Sequence, residues 1–304
     1  MSLSFPKPSF AILSACKNEQ DYVAKCIDSV LKQSLLPSLW VIIDDGSTDN
    51  TPKILKEYAD KNNFIKIHSF PPNENRSFGS KDKAINHAFS TLHVLNYDYI
   101  GILDTDISLE SINYFKTVID EFKTDSKLAI TGGEVYENTS GIFKPRPVNV
   151  PWSVAGCVQM YRRECFLILG GFLPLDYGGS DTYSELRLRE MGWRAKTIRS
   201  LQVNHYRPTS SASGFLRGSF RAGLLAGSFG SHPIFMIVKM IRRIFYHPPI
   251  IGSSLLGIGY LYYRLFKRDV LIAKSTSLYL RKEQISRIKT LFKLKNPSNS
   301  SWEV

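Results

Sequence analysis

The stretch YIGILDTDIS, Tyr99 to Ser108, is an apolar run of the kind that fills a sheet interior, and it ends in two carboxylates, Asp104 and Asp106, one threonine apart. A strand with a nearly continuous apolar centre is buried on both faces, which points to a parallel sheet covered by helices. Alternation along the strand sets Asp104 and Asp106 on one face, with Thr105 opposite. An open α/β sheet takes its ligand beyond the carboxyl ends of such strands. Two anions that close repel one another, and a divalent cation held through oxygen relieves the cost.

The flanking sequence repeats the pattern. SFAILSA (9–15), LWVIIDD (39–45) and IKIHSF (65–70) read as strands, while EQDYVAKCIDSVLKQS (19–34), PKILKEYADKN (52–62) and KDKAINHAFSTL (81–92) have helical spacing. Strands alternating with helices predict an α/β fold with a mostly parallel central sheet. A second carboxylate pair, Asp44 and Asp45, ends the strand before GSTDNT. A turn with helix capping accounts for Gly46 and Ser47 but not for both acids, and a carboxylate at a strand's end can accept a bond from a base or a ribose hydroxyl. Neither a P-loop nor a dinucleotide-type glycine loop precedes these strands, so a nucleotide here must be held by metal and side chains. Beyond about residue 127 the pattern loosens: LAITGGEVY is a strand, GIFKPRPVNVP a proline-broken loop, and TYSELRLREMGWRAKTI (182–198) a helix ending near Gly192 and then a strand.

Charge divides the chain. Residues 1–186 carry 18 basic and 23 acidic side chains, residues 187–304 carry 21 and 4, and the whole chain of 304 is at +12. A basic second part calls for an anionic partner. With 43% hydrophobic residues the chain can bury a substantial core. The four cysteines, Cys16, Cys26, Cys157 and Cys165, have neither zinc-site spacing nor the density of a disulfide scaffold and read as buried thiols of a reducing compartment. MSLSFPKPSF has no apolar secretory core, so the expected location is cytoplasmic, at the inner face of the cell membrane. HPPIIGSSLLGIGYLYY (247–263) lacks charge and is short for a spanning helix. Spanning, dipping into or lying on a membrane, and a buried helical hairpin, are all open to it; flanking Arg242, Arg243, Arg264, Lys267 and Arg268 favour anionic headgroups.

Taken in order, residues 9–207 resemble a family 2 glycosyltransferase of GT-A fold. The resemblance rests on CKNE, SVLKQS, IIDDGSTDNT, SKDKAIN, LDTDI, GCVQMYRRECFLILGGF and SDTYSELRLREMGWRA. It implies a GT-A domain over 1–210, with a nucleotide-binding half (1–106) and an acceptor and catalytic half (107–210), followed by a basic, apolar helical region over 211–304. It also implies an inverting transfer from a UDP, GDP or dTDP sugar to a saccharide or lipid-linked hydroxyl, in surface polysaccharide or glycolipid assembly. Carried over by position, Asp45 and, with less support, Asp44 meet the base or ribose, Asp104 lies near the ribose, and Asp106 binds Mn²⁺ or Mg²⁺. Lys81 lies beside the nucleotide, though a solvated lysine at a helix start is the competing reading. Glu19 belongs to the nucleotide site or is a helix N-terminal acid. His205 supplies the metal or diphosphate, or simply closes a strand.

The sequence departs from the family where Glu-Asp is usual: here it is Ser180-Asp181. Asp181 matches the general base, with Glu185 as the alternative; Glu185 is spaced to pair with Arg189 at i+4, which leaves Asp181 to face the cleft. Arg207, Arg217 and Arg221 are candidate helpers at the leaving diphosphate. One rival is an inactive scaffold that binds a membrane or nucleic acid through its basic tail, but Asp45, Asp106 and Asp181 are all present and no nucleic-acid partner is expected. A nucleotidyltransferase is the other rival, and SACKNEQ lacks the glycine-rich basic loop it calls for.

Overall fold

The structure is a computed structural model that describes residues 8–72, 78–92, 97–147, 149–207, 214–245 and 249–293. The chain forms two compact units, Met1–Thr209 and Ser210–Val304. The first holds strands β1 (Phe10–Cys16), β2 (Leu39–Asp44), β3 (Ile65–Ser69), β4 (Tyr99–Leu103), β5 (Ile107–Leu109), β6 (Leu128–Thr139), β7 (Ile142–Pro145), β8 (Val158–Arg162) and β9 (Arg194–His205). Its helices are α1 (Val23–Leu31), α2 (Thr51–Lys61), α3 (Phe78–Ser90), α4 (Tyr114–Thr124), α5 (Arg163–Leu169) and α6 (Ser180–Glu190).

One sheet runs β3-β2-β1-β4-β8-β6-β9-β5, with β7 paired to β6. The β3-β2-β1-β4 part is parallel, whereas β8 joins β4 and β6 antiparallel and β6 pairs β9 parallel. Strand order reverses about β1, with β2 on one side and β4 on the other. This topological switch opens a crevice beyond the carboxyl ends of β1 and β4.

Period-two alternation explains why the apolar strands are continuous. Phe10 and Ile12 point to one face, where they meet Val23, Ile27 and Val30 of α1 and Phe115 and Val118 of α4. Ala11 and Leu13 point to the other, against Ala84, Ile85 and Ala88 of α3 and Phe166 of α5. Both faces are dry, so neither can alternate with polar residues.

The structure revises three local expectations. The first turn of the expected helix from residue 19 is a tight turn in which the Glu19 carbonyl accepts from the Tyr22 and Val23 amides at 2.9 and 2.8 Å, and α1 proper starts at Val23. Within GIFKPRPVNVP, residues Ile142–Pro145 form β7, antiparallel to the end of β6. Proline lacks only the donor, which an edge strand can spare at Pro145. The third concerns the acidic triplet. β4 ends at Leu103, and Asp104–Asp106 make a turn before β5, so strand alternation does not set the two aspartates side by side.

The second unit is helical: α7 (Phe215–Ser228), α8 (Pro233–Arg243), α9 (Ile251–Tyr262) continued by a π-helical turn (Tyr263–Lys267), and α10 (Lys274–Lys293). Helices α7 and α9 meet backbone to backbone at glycines. A Cβ at Gly223 would lie 2.2 Å from the Leu256 carbonyl oxygen, and one at Gly259 2.1 Å from that of Phe220. Arg217 and Arg221 both belong to α7. Among the described residues, no helix is long and apolar enough to cross a membrane.

Candidate functional site

The loops after β1 and β2 are laced together. Asn18, held at positive φ, donates its amide to Ser47 Oγ at 2.9 Å and accepts the Thr48 amide on Oδ1 at 2.8 Å. The Glu19 amide donates to Thr51 Oγ1 at 2.7 Å, and the Asn50 amide to Gln20 Oε1 at 3.1 Å. This lacing fixes Glu19 and Asp45 at the mouth of the crevice. Sequence reading gave Asn18 and Gln20 no role, because loop-to-loop bonding has no periodic signature.

Asp44 and Asp45 differ in use. Asp44 is buried, and its Oδ1 accepts the Ser47 amide at 3.0 Å, so it builds the turn. Asp45 is half-buried; its amide donates to the Cys16 carbonyl at 2.8 Å, and its side chain is the one at the loop surface.

The DTD turn sends its two carboxylates to different partners. Asp104 donates its amide to the Cys157 carbonyl at 2.9 Å and accepts Lys81 Nζ on Oδ2 at 2.8 Å. Burial pushes the Asp104 carboxyl up; Lys81 opposes that rise, and Asp106 adds to it. Burial alone would lower the Lys81 ammonium, but the adjacent Asp104 carboxylate outweighs it and the net shift is upward. Lys81, in the first turn of α3, is thus the ion-pair partner of Asp104, with its side chain 40% exposed. Thr105, between the two acids, is buried.

Asp106 faces β9. Its Oδ2 lies 3.4 Å from His205 Nε2 and 3.2 Å from Arg207 Nε, and the Arg207 guanidinium also pairs with Glu19. Burial lowers the His205 imidazole, but hydrogen bonding and charge from Asp106 more than reverse this, so its net shift is upward. Among the described residues, neither His205 Nδ1 nor Glu19 Oε2, both buried, has a hydrogen-bond partner. Among the described residues, no three acidic, histidine or cysteine side chains converge as a ready-made metal cage. One carboxylate and one imidazole nitrogen this close nonetheless fit two positions of a Mn²⁺ or Mg²⁺ shell. Such ions typically take few protein ligands and fill the rest with phosphate and water. Tyr206 lies just past the end of β9, and its ring stacks on Tyr22 at 5.4 Å.

Asp181 occupies the first turn of α6 and is half-buried. A Cβ at position 156 would fall 2.3 Å from Asp181 Oδ2, so glycine there is what admits the carboxylate against the 154–157 loop. Glu185 is buried, accepts the Val154 amide at 2.6 Å and pairs with Arg189 at 3.3 Å. Burial pushes its carboxyl up to about 7. It braces the loop, which leaves Asp181 as the more accessible carboxylate of the two.

Several comparisons bear on this arrangement. Residues 11–223 match the family model described as Glycosyl transferase family 2. The chain is 32% identical over 149 residues to a poly-beta-1,6-N-acetyl-D-glucosamine synthase of Staphylococcus aureus, covering 48% of this chain and 34% of that protein. It is 30% identical over 184 residues to the synthase of the same name from Staphylococcus epidermidis, covering 60% and 41%. The matched stretch is thus well under half the length of these relatives. Among solved structures, a mannosyltransferase from Pyrobaculum calidifontis in complex with GDP-Man and Mn²⁺ superposes with a TM-score of 0.56 at 18% identity, covering 95% of this chain and 81% of the other. S. aureus TarS 1–349 in complex with UDP-GlcNAc gives 0.56 at 12% identity, covering 93% and 92%. These structural likenesses speak to the fold, and the sequence match settles the family: the chain is a GT-A-fold member of glycosyl transferase family 2.

Proposed function

We propose that the first unit moves a sugar from a nucleotide-diphosphate donor to an acceptor hydroxyl with inversion at the anomeric carbon. The observation that carries this reading is the gathering of Glu19, Lys81–Asp104, Asp106–His205–Arg207 and Asp181 around one crevice beyond β1 and β4. Asp45, with Asp44 behind it in the turn, accepts from the base or ribose, and Asp104, steadied by Lys81, lies on the ribose side. Asp181 takes the proton from the acceptor hydroxyl as its oxygen attacks the anomeric carbon from the side opposite the diphosphate. Arg207 supplies positive charge where the diphosphate departs. Asp106 and His205 would hold Mn²⁺ or Mg²⁺, which supplies Lewis-acid stabilisation of the leaving diphosphate.

The structural neighbours carry UDP-GlcNAc and GDP-Man, and the sequence relatives are named for a poly-N-acetylglucosamine product. UDP-GlcNAc is accordingly the first donor to test, and surface polysaccharide or glycolipid assembly is the setting. A thermal-shift screen of UDP, GDP and dTDP sugars, each with and without Mn²⁺, checks the donor site. A ligand at 100 times its Kd stabilises by about 2.7 kcal/mol. The expected result is a metal-dependent rise in Tm with one nucleotide class; no rise with any of them overturns the reading.

The second unit supports docking on an anionic membrane surface through residues 211–268. Ile234, Ile237 and Ile241 lie along one stripe of α8, and Ile258, Leu261 and Leu265 along one stripe from α9 into the π-helical turn; all six are more than half exposed. The opposite sides of these helices pack inward through Met236, Leu256 and Tyr260. Arg242 and Arg243 sit in the last turn of α8, and Arg264 and Lys267 in the π-helical turn. Helix α9 with its π-helical continuation, Ile251 to Lys267, is about 25 Å long, too short for a hydrocarbon core of about 30 Å, so the apolar stripes enter one leaflet only. Flotation with vesicles containing one third phosphatidylglycerol is expected to carry the protein, and raised salt to weaken it. Ile237→Glu with Ile241→Glu should lower the bound fraction about tenfold, since each charge opposes insertion by roughly a kcal/mol or more. Equal recovery of wild type and variant overturns the docking surface.

A further inference from the structure

We propose that Asp82 on α3, acting through the hydroxyl of Ser180, is the positioning residue for the Asp181 carboxylate. The inference rests on the reading of Asp181 as base. Helix α6 starts without a side-chain cap: its N-cap is Gly179 at φ 89°, and no side chain accepts from the first-turn amides. The residue that ordinarily accepts one of those amides is the N-cap, and glycine there has no side chain to do so. Ser180 instead donates outward to Asp82 Oδ1 at 2.6 Å, between residues 98 apart in sequence. The bond ties the residue next to Asp181 to a helix anchored on the sheet, while Gly156 admits the Asp181 carboxylate on the other side. Asp181 is thus fixed between a tether and a wall.

The tether is costly to keep. Asp82 is 3% exposed, and among the described residues no close hydrogen bond reaches its buried Oδ2. Burial pushes its carboxyl up to about 6, with the Ser180 bond and Lys81 pulling the other way and Asp181 adding to the rise. A carboxyl that only filled space would do better as an apolar side chain of the same size. Among the groups that favour the charged carboxylate, the Ser180 hydroxyl contributes most, ahead of Lys81 and the Leu175 amide. The same bond gives a physical role to the serine that stands where glutamate is usual in the family.

The test uses the full chain with Mn²⁺, UDP-N-acetylglucosamine and N-acetylglucosamine oligosaccharides, which with water serve as the acceptor hydroxyls, reading UDP release together with amide hydrogen exchange over residues 179–184. Asp82→Asn keeps an acceptor for Ser180, and Ser180→Thr keeps the donor; Asp82→Ala and Ser180→Ala remove them. The expected result is a kcat about tenfold lower in both alanine variants, with an unchanged Kd for UDP and faster exchange confined to 179–184. The conservative variants, Asp82→Asn and Ser180→Thr, should stay within about threefold of wild type. Alanine variants with wild-type kcat and wild-type exchange overturn the proposal, and so does a conservative variant as impaired as its alanine counterpart. A wild type that releases no UDP condemns the donor reading instead. In that case exchange alone decides, and no change over 179–184 overturns the couple.

Discussion

Asp181→Asn is expected to lower sugar transfer by about 10³-fold while leaving donor binding within about twofold of wild type. A positioned general base contributes on the order of 10²–10⁴-fold, and asparagine keeps the shape while removing the ability to accept a proton. The distinguishing prediction lies on the opposite wall. In Gly156→Ala the new Cβ would fall 2.3 Å from Asp181 Oδ2 and 2.9 Å from Asp181 Cβ, so the carboxylate is displaced and the start of α6 shifts with it. A displacement of about 1 Å at a reacting group costs on the order of 10²-fold. Gly156→Ala should therefore keep its affinity for UDP yet lose roughly 10²-fold in kcat, with a modest fall in Tm from the shift at the start of α6. Glu185→Gln serves as the control. Glu185 braces the Val154 amide and Arg189, so its loss should lower Tm more than it lowers kcat in the remaining folded protein. A kcat defect in Glu185→Gln larger than in Asp181→Asn would transfer the base to Glu185.

The roles of these residues were unevenly legible in the sequence. Strands β1, β2 and β4 announce themselves because burial on both faces demands unbroken apolar runs, and those runs locate the crevice by locating its walls. The DTD turn was found for a reason the structure revises. The acids lie past the end of β4, and Asp104 turns to Lys81 while Asp106 turns to His205 and Arg207. A strand's period says nothing about a turn. Asp82 was passed over because a charged residue beside two lysines in a helical pattern reads as solvated surface, and only the packing of α6 against α3 buries it. The prolines of GIFKPRPVNVP dominate its local signal, whereas the pairing of β7 is set by the distant end of β6.

Asp106→Ala is expected to abolish the Mn²⁺-dependent part of donor stabilisation and to lower kcat/KM by about 10³-fold. The magnitude follows from the several kcal/mol that a cation contributes to a leaving diphosphate, with each ~1.4 kcal/mol worth a factor of ten. Asp106 is the carboxylate that both His205 and Arg207 approach, so its removal dissolves the pair of groups proposed to hold the ion and leaves the Asp104–Lys81 pair intact. His205→Ala should act more weakly, raising the Mn²⁺ concentration for half-maximal effect by roughly tenfold, the scale seen when a single supporting group at a metal site is lost. Arg207→Ala separates charge compensation from metal binding. Arg207 pairs with Glu19 as well as Asp106, and its loss leaves two carboxylates facing each other across the crevice. The variant should therefore bind Mn²⁺ at least as tightly as wild type while losing turnover at the departing diphosphate. Isothermal titration of Mn²⁺ into each variant with UDP present reads all three. Tighter or unchanged Mn²⁺ binding in Asp106→Ala would move the metal away from the DTD turn, and weaker binding in Arg207→Ala would make the arginine a support of the ion and not its competitor for Asp106.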